Sequence, residues 1–115
     1  MISDSTLKRN IRPVDEFDIL EKVASLPISR WSYETQSPDI EHIGPMAQDF
    51  YATFGLGEDE KGNSTLDPDG VSLAAIKALY NENKKLKEQI EKVRTESRKD
   101  IKKLEMLLKK ILESK

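Results

Sequence analysis

A chain of 115 residues with a formal net charge of −2 makes one small domain, or a small domain with an extension. It has no cysteine and a single histidine, His42, which excludes a disulfide framework, a thiolate metal site and a multi-histidine metal site within one chain. No apolar run approaches the roughly 18–20 residues of a membrane span, and the N-terminus lacks a signal-peptide pattern, so neither a membrane partner nor a cofactor is expected.

The first stretch, Met1 to Pro13, is polar, and Ser3-Asp4-Ser5-Thr6 can cap a short helical turn reaching Lys8 or Arg9. Asp15 can cap a second helix whose broad apolar face carries Phe17, Ile19, Leu20, Val23, Ala24 and Leu26, and Pro27 stops it. Ile28 to Glu34 reads as a strand with Trp31 and Tyr33 on one face; Trp31 is expected in the core of the head. After a polar loop, Gly44-Pro45 is expected to open a helix with proline at its first position, and Met46, Ala47, Phe50, Tyr51 and Phe54 form its apolar side. Gly55 and Gly57 end that helix. Glu58 to Pro68 is a hydrophilic connection with a short extended piece expected at Ser64–Leu66. Asp59-Glu60 and Asp67-Pro68-Asp69-Gly70 lack the ligand spacing of a calcium loop; they read as a turn and a helix cap, with Asp69 or Ser72 as the capping residue.

From Ser72 onward the pattern is sustained. Ile76, Leu79, Leu86, Ile90 and Val93, then Ile101, Leu104, Leu108 and Ile111, recur at spacings of three and four among Lys, Glu, Asn and Gln. A helix of about 40 residues would be about 60 Å long. The rest of the chain is too small to cover such a stripe, so copies of the same helix are the simplest partners, and a coiled coil is expected. With Ile76 at position a, Leu79, Leu86 and Val93 fall at d, and Asn83, Ile90 and Ser97 at a. The next d position is Asp100, and a frame shift of four residues restores the core from Ile101, which is a stutter. The stutter leaves two arrangements open, a continuous helix or a break near Thr95–Lys99. The absence of Gly and Pro after Gly70 favours continuity. The two core positions without apolar residues are Asn83 and Ser97, which fix register at a cost in stability, and the a and d residues alone leave the number of helices open.

Charge is unevenly spread. Residues 1–83 carry 7 Lys+Arg and 15 Asp+Glu, a balance of −8, and residues 84–115 carry 12 and 6, a balance of +6. The basic half is a solvated coiled-coil exterior rather than a nucleic-acid surface. A zipper-type DNA reader needs its basic region N-terminal to the heptads, and here that side is acidic. Ser3 and Lys8, with Asp4 following the serine, are the one pair with sharper chemistry: a lysine whose amine is desolvated can activate a serine hydroxyl. On spacing alone, ordinary surface residues remain the default.

Three sets of residues change that weighting. The first is Ser3-Asp4, Leu7-Lys8, Ile11, Pro13-Val14, Leu26-Pro27 and Arg30-Trp31-Ser32-Tyr33. The second is His42-Ile43-Gly44-Pro45-Met46-Ala47-Gln48-Asp49-Phe50 with Phe54-Gly55-Leu56-Gly57. The third is Asp69-Gly70-Val71, Leu73-Ala74-Ala75-Ile76 and Leu79-Tyr80. In this order and spacing the chain resembles the endosialidase-type intramolecular chaperone, the self-cleaving C-terminal domain of phage tailspikes and tail fibres. The resemblance spans Ser3 to about Tyr80.

It implies an α+β, mainly helical fold: a small head with a short strand or two, then a long helix in a trimeric coiled coil. It implies that residues 1–3 are a remnant of an upstream stalk with the cleavage site, 4–71 the chaperone head and 72–115 the coiled coil. The implied activity is assembly of an upstream fibre or spike as a homotrimer, followed by self-cleavage at Ser3–Asp4. Ser3 is then the nucleophile, attacking its own carbonyl, and Lys8 the general base. His42, Gly44, Pro45 and Gln48 would belong to the head's functional core. The implied setting is the host cytoplasm during phage assembly, with release from the mature fibre after the cut. Two other readings stay open: a trimerisation domain that never cleaves, and a coiled-coil adaptor that binds a protein through its head.

Overall fold

The computed structural model describes residues 2–62 and 66–114. The fold is α+β and mainly helical. A 3-10 turn at Ser5–Leu7 precedes helix α1 (Glu16–Ser25), strand β1 (Ser29–Trp31), strand β2 (His42–Gly44), helix α2 (Ala47–Phe54) and helix α3 (Leu66–Glu113). The chain divides into two compact units, Met1–Leu79 and Tyr80–Lys115.

The caps of the first elements follow from their sequence. Asp4 accepts from Thr6 N–H at 3.0 Å and opens the 3-10 turn. Asp15 accepts from Asp18 N–H at 3.2 Å and caps α1. These side chains satisfy N–H groups that the first turn of a helix leaves without partners. Leu26 closes α1 in an extended conformation, as a residue preceding proline favours.

β1 and β2 pair antiparallel, with Ser29 opposite Gly44, Arg30 opposite Ile43 and Trp31 opposite His42. The strand expected over Ile28–Glu34 is shorter, because its partner offers only three residues. Beyond Trp31 the chain turns: Gln36 N–H donates to Tyr33 O at 3.1 Å, and Ser32 Oγ donates to Pro38 O at 3.2 Å.

The expected helix start at Gly44-Pro45 is also corrected. Gly44 is used by the β ladder, and α2 begins at Ala47 behind Met46, whose side chain makes no capping bond. Its end is as expected. Gly55 sits in the left-handed region at φ 62° and donates its N–H to Tyr51 O at 2.8 Å. That conformation carries a steric penalty for any residue with a Cβ.

α3 starts earlier than expected. Asp69 and Ser72 lie inside it rather than capping it, and Ser72 Oγ donates to Pro68 O at 2.8 Å. Pro68 is tolerated in this first turn, where its missing N–H has no helical acceptor to lose. Leu66 is helical, which corrects the extended piece expected at Ser64–Leu66; Ser64 and Thr65 lie outside the described residues. In the second unit the helix runs unbroken through Thr95–Lys99.

Phe50, Val71, Ala75 and Ala78 are the buried apolar residues of the described chain. Phe50 also packs on Phe54, with ring centroids 4.9 Å apart. Val71, Ala75 and Ala78 lie at helical spacing on one face of α3, and the small alanines permit close approach. Ile76 and Leu79 stay at least half exposed, as do Leu86, Val93, Ile101, Leu104, Leu108 and Ile111 farther along; Ile90 is 49% exposed. Lys77 Nζ meets Glu16 Oε1 at 2.9 Å and ties α3 to α1 within the first unit. No helix of the described residues is long and apolar enough to cross a membrane.

Candidate functional site

Two local constellations hold the residues singled out by the sequence. The first is in the N-terminal arm. The extended backbone of Asp4 and the 3-10 turn after it bring Lys8 back towards Ser3, and Lys8 Nζ donates to Ser3 Oγ at 2.7 Å. Such a distance is short for a nitrogen–oxygen pair and typical of a charge-assisted bond.

Asp4 stands between them in sequence, with its carboxylate turned to Thr6 N–H. Backbone and side-chain hydrogen bonds from Thr6 hold the Asp4 carboxyl below the usual aspartate value. Its role at this point is to hold the turn that closes the serine–lysine contact. Ser3, Asp4 and Lys8 are all exposed.

The second constellation is on the β ribbon. The register that sets Trp31 opposite His42 stacks their rings, with centroids 5.0 Å apart and planes at 31°. Tyr33 meets Trp31 edge to face at 4.8 Å and His42 at 5.3 Å. His42 Nε2–H donates to Gln36 Oε1 at 3.0 Å, which fixes the ring's orientation. Trp31 is half-buried rather than a core residue, and its indole Nε1 is buried without a hydrogen-bond partner. Beside the aromatic residues lies a cleft of about 490 Å³, walled by Trp31, Tyr33, Pro45, Met46, Gln48 and the loop residues Lys61 and Gly62.

The residues expected to act together are therefore placed in two groups. Ser3, Asp4 and Lys8 form one. His42 belongs to the aromatic cluster, Gly44 to the β ladder, and Pro45 and Gln48 to the cleft wall. Among the described residues no hydrogen bond or ion pair joins the two groups. Sequence reasoning missed Gln36 and Lys61. Gln36 is found only once the turn after Tyr33 is known, and Lys61 only once the loop after α2 is placed. No group of three or more metal-ligating side chains is gathered among the described residues.

A family model of the peptidase class, described as "Chaperone of endosialidase", matches residues 3–55. The match begins at the serine of the arm and includes Lys8, both strands and α2. A search of curated proteins returns no match to the chain. Over residues 3–55 the chain is similar to the chaperone-of-endosialidase family.

Proposed function

We propose that this chain is a trimeric assembly chaperone for an upstream fibre or spike, and that it releases itself by cutting Ser3–Asp4. The observation that carries this reading is the 2.7 Å contact between Lys8 Nζ and Ser3 Oγ, at the start of the stretch matched by the family. The apolar stripe of α3 supports the assembly half. A row of large apolar side chains left half exposed along a helix has the pattern of a coiled-coil seam.

Three long chains searching for register face a large loop-closure cost before any non-local contact forms. A trimeric helix bundle tethers them at high effective concentration. Cutting after folding removes the tether and leaves a stalk held by its unfolding barrier. In this reading the domain acts in the infected host cell during assembly and is absent from the finished fibre.

In the cleavage step Lys8 accepts the Ser3 hydroxyl proton as Oγ attacks the Ser3 carbonyl carbon, and the Ser3–Asp4 C–N bond breaks. The Asp4 nitrogen takes up a proton and leaves as an amine, and water hydrolyses the ester. Two features of the single chain bear on this step. A lysine acts as a base when its amine is desolvated, and here both side chains are exposed, so a covering surface is required. Attack by Oγ on the carbonyl of its own residue also closes a strained β-lactone. A serine presented by a second copy cuts the same bond through an ordinary ester. Assembly supplies both the cover and the second serine.

The test is a fusion of stalk sequence to Met1. Intact mass should show a new chain starting at Asp4, and the Ser3→Ala and Lys8→Ala fusions should stay whole. Cleavage persisting in either variant would sink the dyad.

A further inference from the structure

The N-terminal arm is set apart from the rest of the head. Every residue from Ile2 to Asp15 is exposed, including Ile2, Leu7, Ile11 and Val14, at 57% to 76%. Up to Lys8, the arm's hydrogen bonds close within the arm itself: Thr6 and Leu7 to Asp4, Lys8 to Ser5 and Ser3. Asn10 lies in the left-handed region at φ 57°.

The charges differ in the same way. The arm to Val14 carries Lys8, Arg9 and Arg12 against Asp4, a balance of +2; residues 15–79 carry 4 basic and 13 acidic residues, a balance of −9.

The cleft beside β1 pairs an apolar wall with a loop that follows an acidic run. Trp31, Tyr33, Pro45 and Met46 offer an apolar wall. Lys61 and Gly62 form the other side, and both donate backbone N–H to Asp59 Oδ1, at 2.9 and 3.0 Å. That turn follows directly on the acidic run Glu58-Asp59-Glu60, and among the described residues Lys61 is the one charged residue lining the cleft. Its volume of about 490 Å³ lies within the roughly 300–1,000 Å³ of ligand clefts.

We infer that this cleft receives the arm of a second copy of the chain, with Leu7 and Ile11 against the apolar wall and Arg9 and Arg12 towards the acidic loop. The contact is head to tail, and such a contact closes without free ends in a cyclic assembly. It rests on the proposed assembly and adds to it a second interface outside the α3 stripe. It also places each Ser3 on a neighbouring head.

The chain's lack of cysteine makes the contact testable by disulfide mapping. Full-length Ile11→Cys chains are refolded with full-length Met46→Cys chains and oxidised mildly. A link forms only where Cα atoms come within about 7 Å. The expected result is a cross-chain disulfide on the order of tenfold more abundant than with Glu21→Cys, on the exposed side of α1, as the acceptor.

Ser97→Cys, within the α3 stripe, reports independently whether copies are assembled. If Ser97→Cys links and Ile11–Met46 does not exceed the Glu21 background, the docking is wrong and the assembly stands. If neither links, both fall. Closure of an Ile11→Cys, Met46→Cys double variant within a single chain also overturns the inference, because the occupant is then the chain's own arm.

Discussion

At the scale of single residues, the proposed cleavage rests on three side chains. Ser3 and Lys8 are five positions apart, a separation too common to carry meaning until the Asp4-capped turn joins them at 2.7 Å. The type and order of these residues were legible in the sequence; the contact itself depends on the turn. Asp4 gives the arm a pH dependence. Its carboxyl is held below the ordinary value by Thr6, so its contribution to the turn is complete above the ordinary aspartate range and is lost as pH falls through the lowered value. Amide NMR of Thr6 should show that loss in acid, and Asp4→Asn should remove the titration. Mixed assemblies separate the two routes of attack. A Ser3→Ala stalk fusion co-refolded with wild-type chains should be cut if the serine comes from a neighbour, and should remain whole if each chain cuts only itself. The hydrogen bond of His42 to Gln36 was not legible in the sequence, because that bond depends on the β ribbon and the turn after it.

At the scale of elements, local signals set the ends of α1 and the end of α2, where Asp15, Pro27 and Gly55 each act on neighbouring backbone. The misplaced boundaries share one cause. Gly44 joins a β ladder instead of opening α2, and α3 begins before its apparent caps, because pairing and packing override local preference. The face of α3 bearing Val71, Ala75 and Ala78 went unread for the same reason. The large residues Ile76 and Leu79 dominate the pattern, while the buried face is built from small ones. Phe50→Ala should lower unfolding stability by about 3–5 kcal/mol in urea titration, since Phe50 is the most buried large side chain. Gly55→Ala should cost about 1–2 kcal/mol through its left-handed backbone. The Lys77 ammonium is held above its usual value by its hydrogen bond to Glu16 and then by that residue's charge. Its contribution is therefore present below the ordinary lysine range and is lost as pH rises through the raised value. The difference in melting temperature between wild type and Glu16→Gln should close at the alkaline end.

At the scale of the whole molecule, the exposed stripe needs partners. The stretch around the stutter is helical through Thr95–Lys99, so the sequence break there is one of phase rather than of backbone. Sedimentation should give a trimer, and Leu104→Asp with Leu108→Asp should shift it towards monomer; a stable monomer or dimer in the wild type would remove the basis for aligning three stalks. The proposed function turns on the cutting of one bond, Ser3–Asp4, once the chains are assembled. Intact-mass analysis of a refolded stalk fusion tests it most directly. The account predicts a released chain beginning at Asp4, present in wild type and absent in both Ser3→Ala and Lys8→Ala. An assembled wild-type fusion that stays whole, or a cut at another bond, would contradict it.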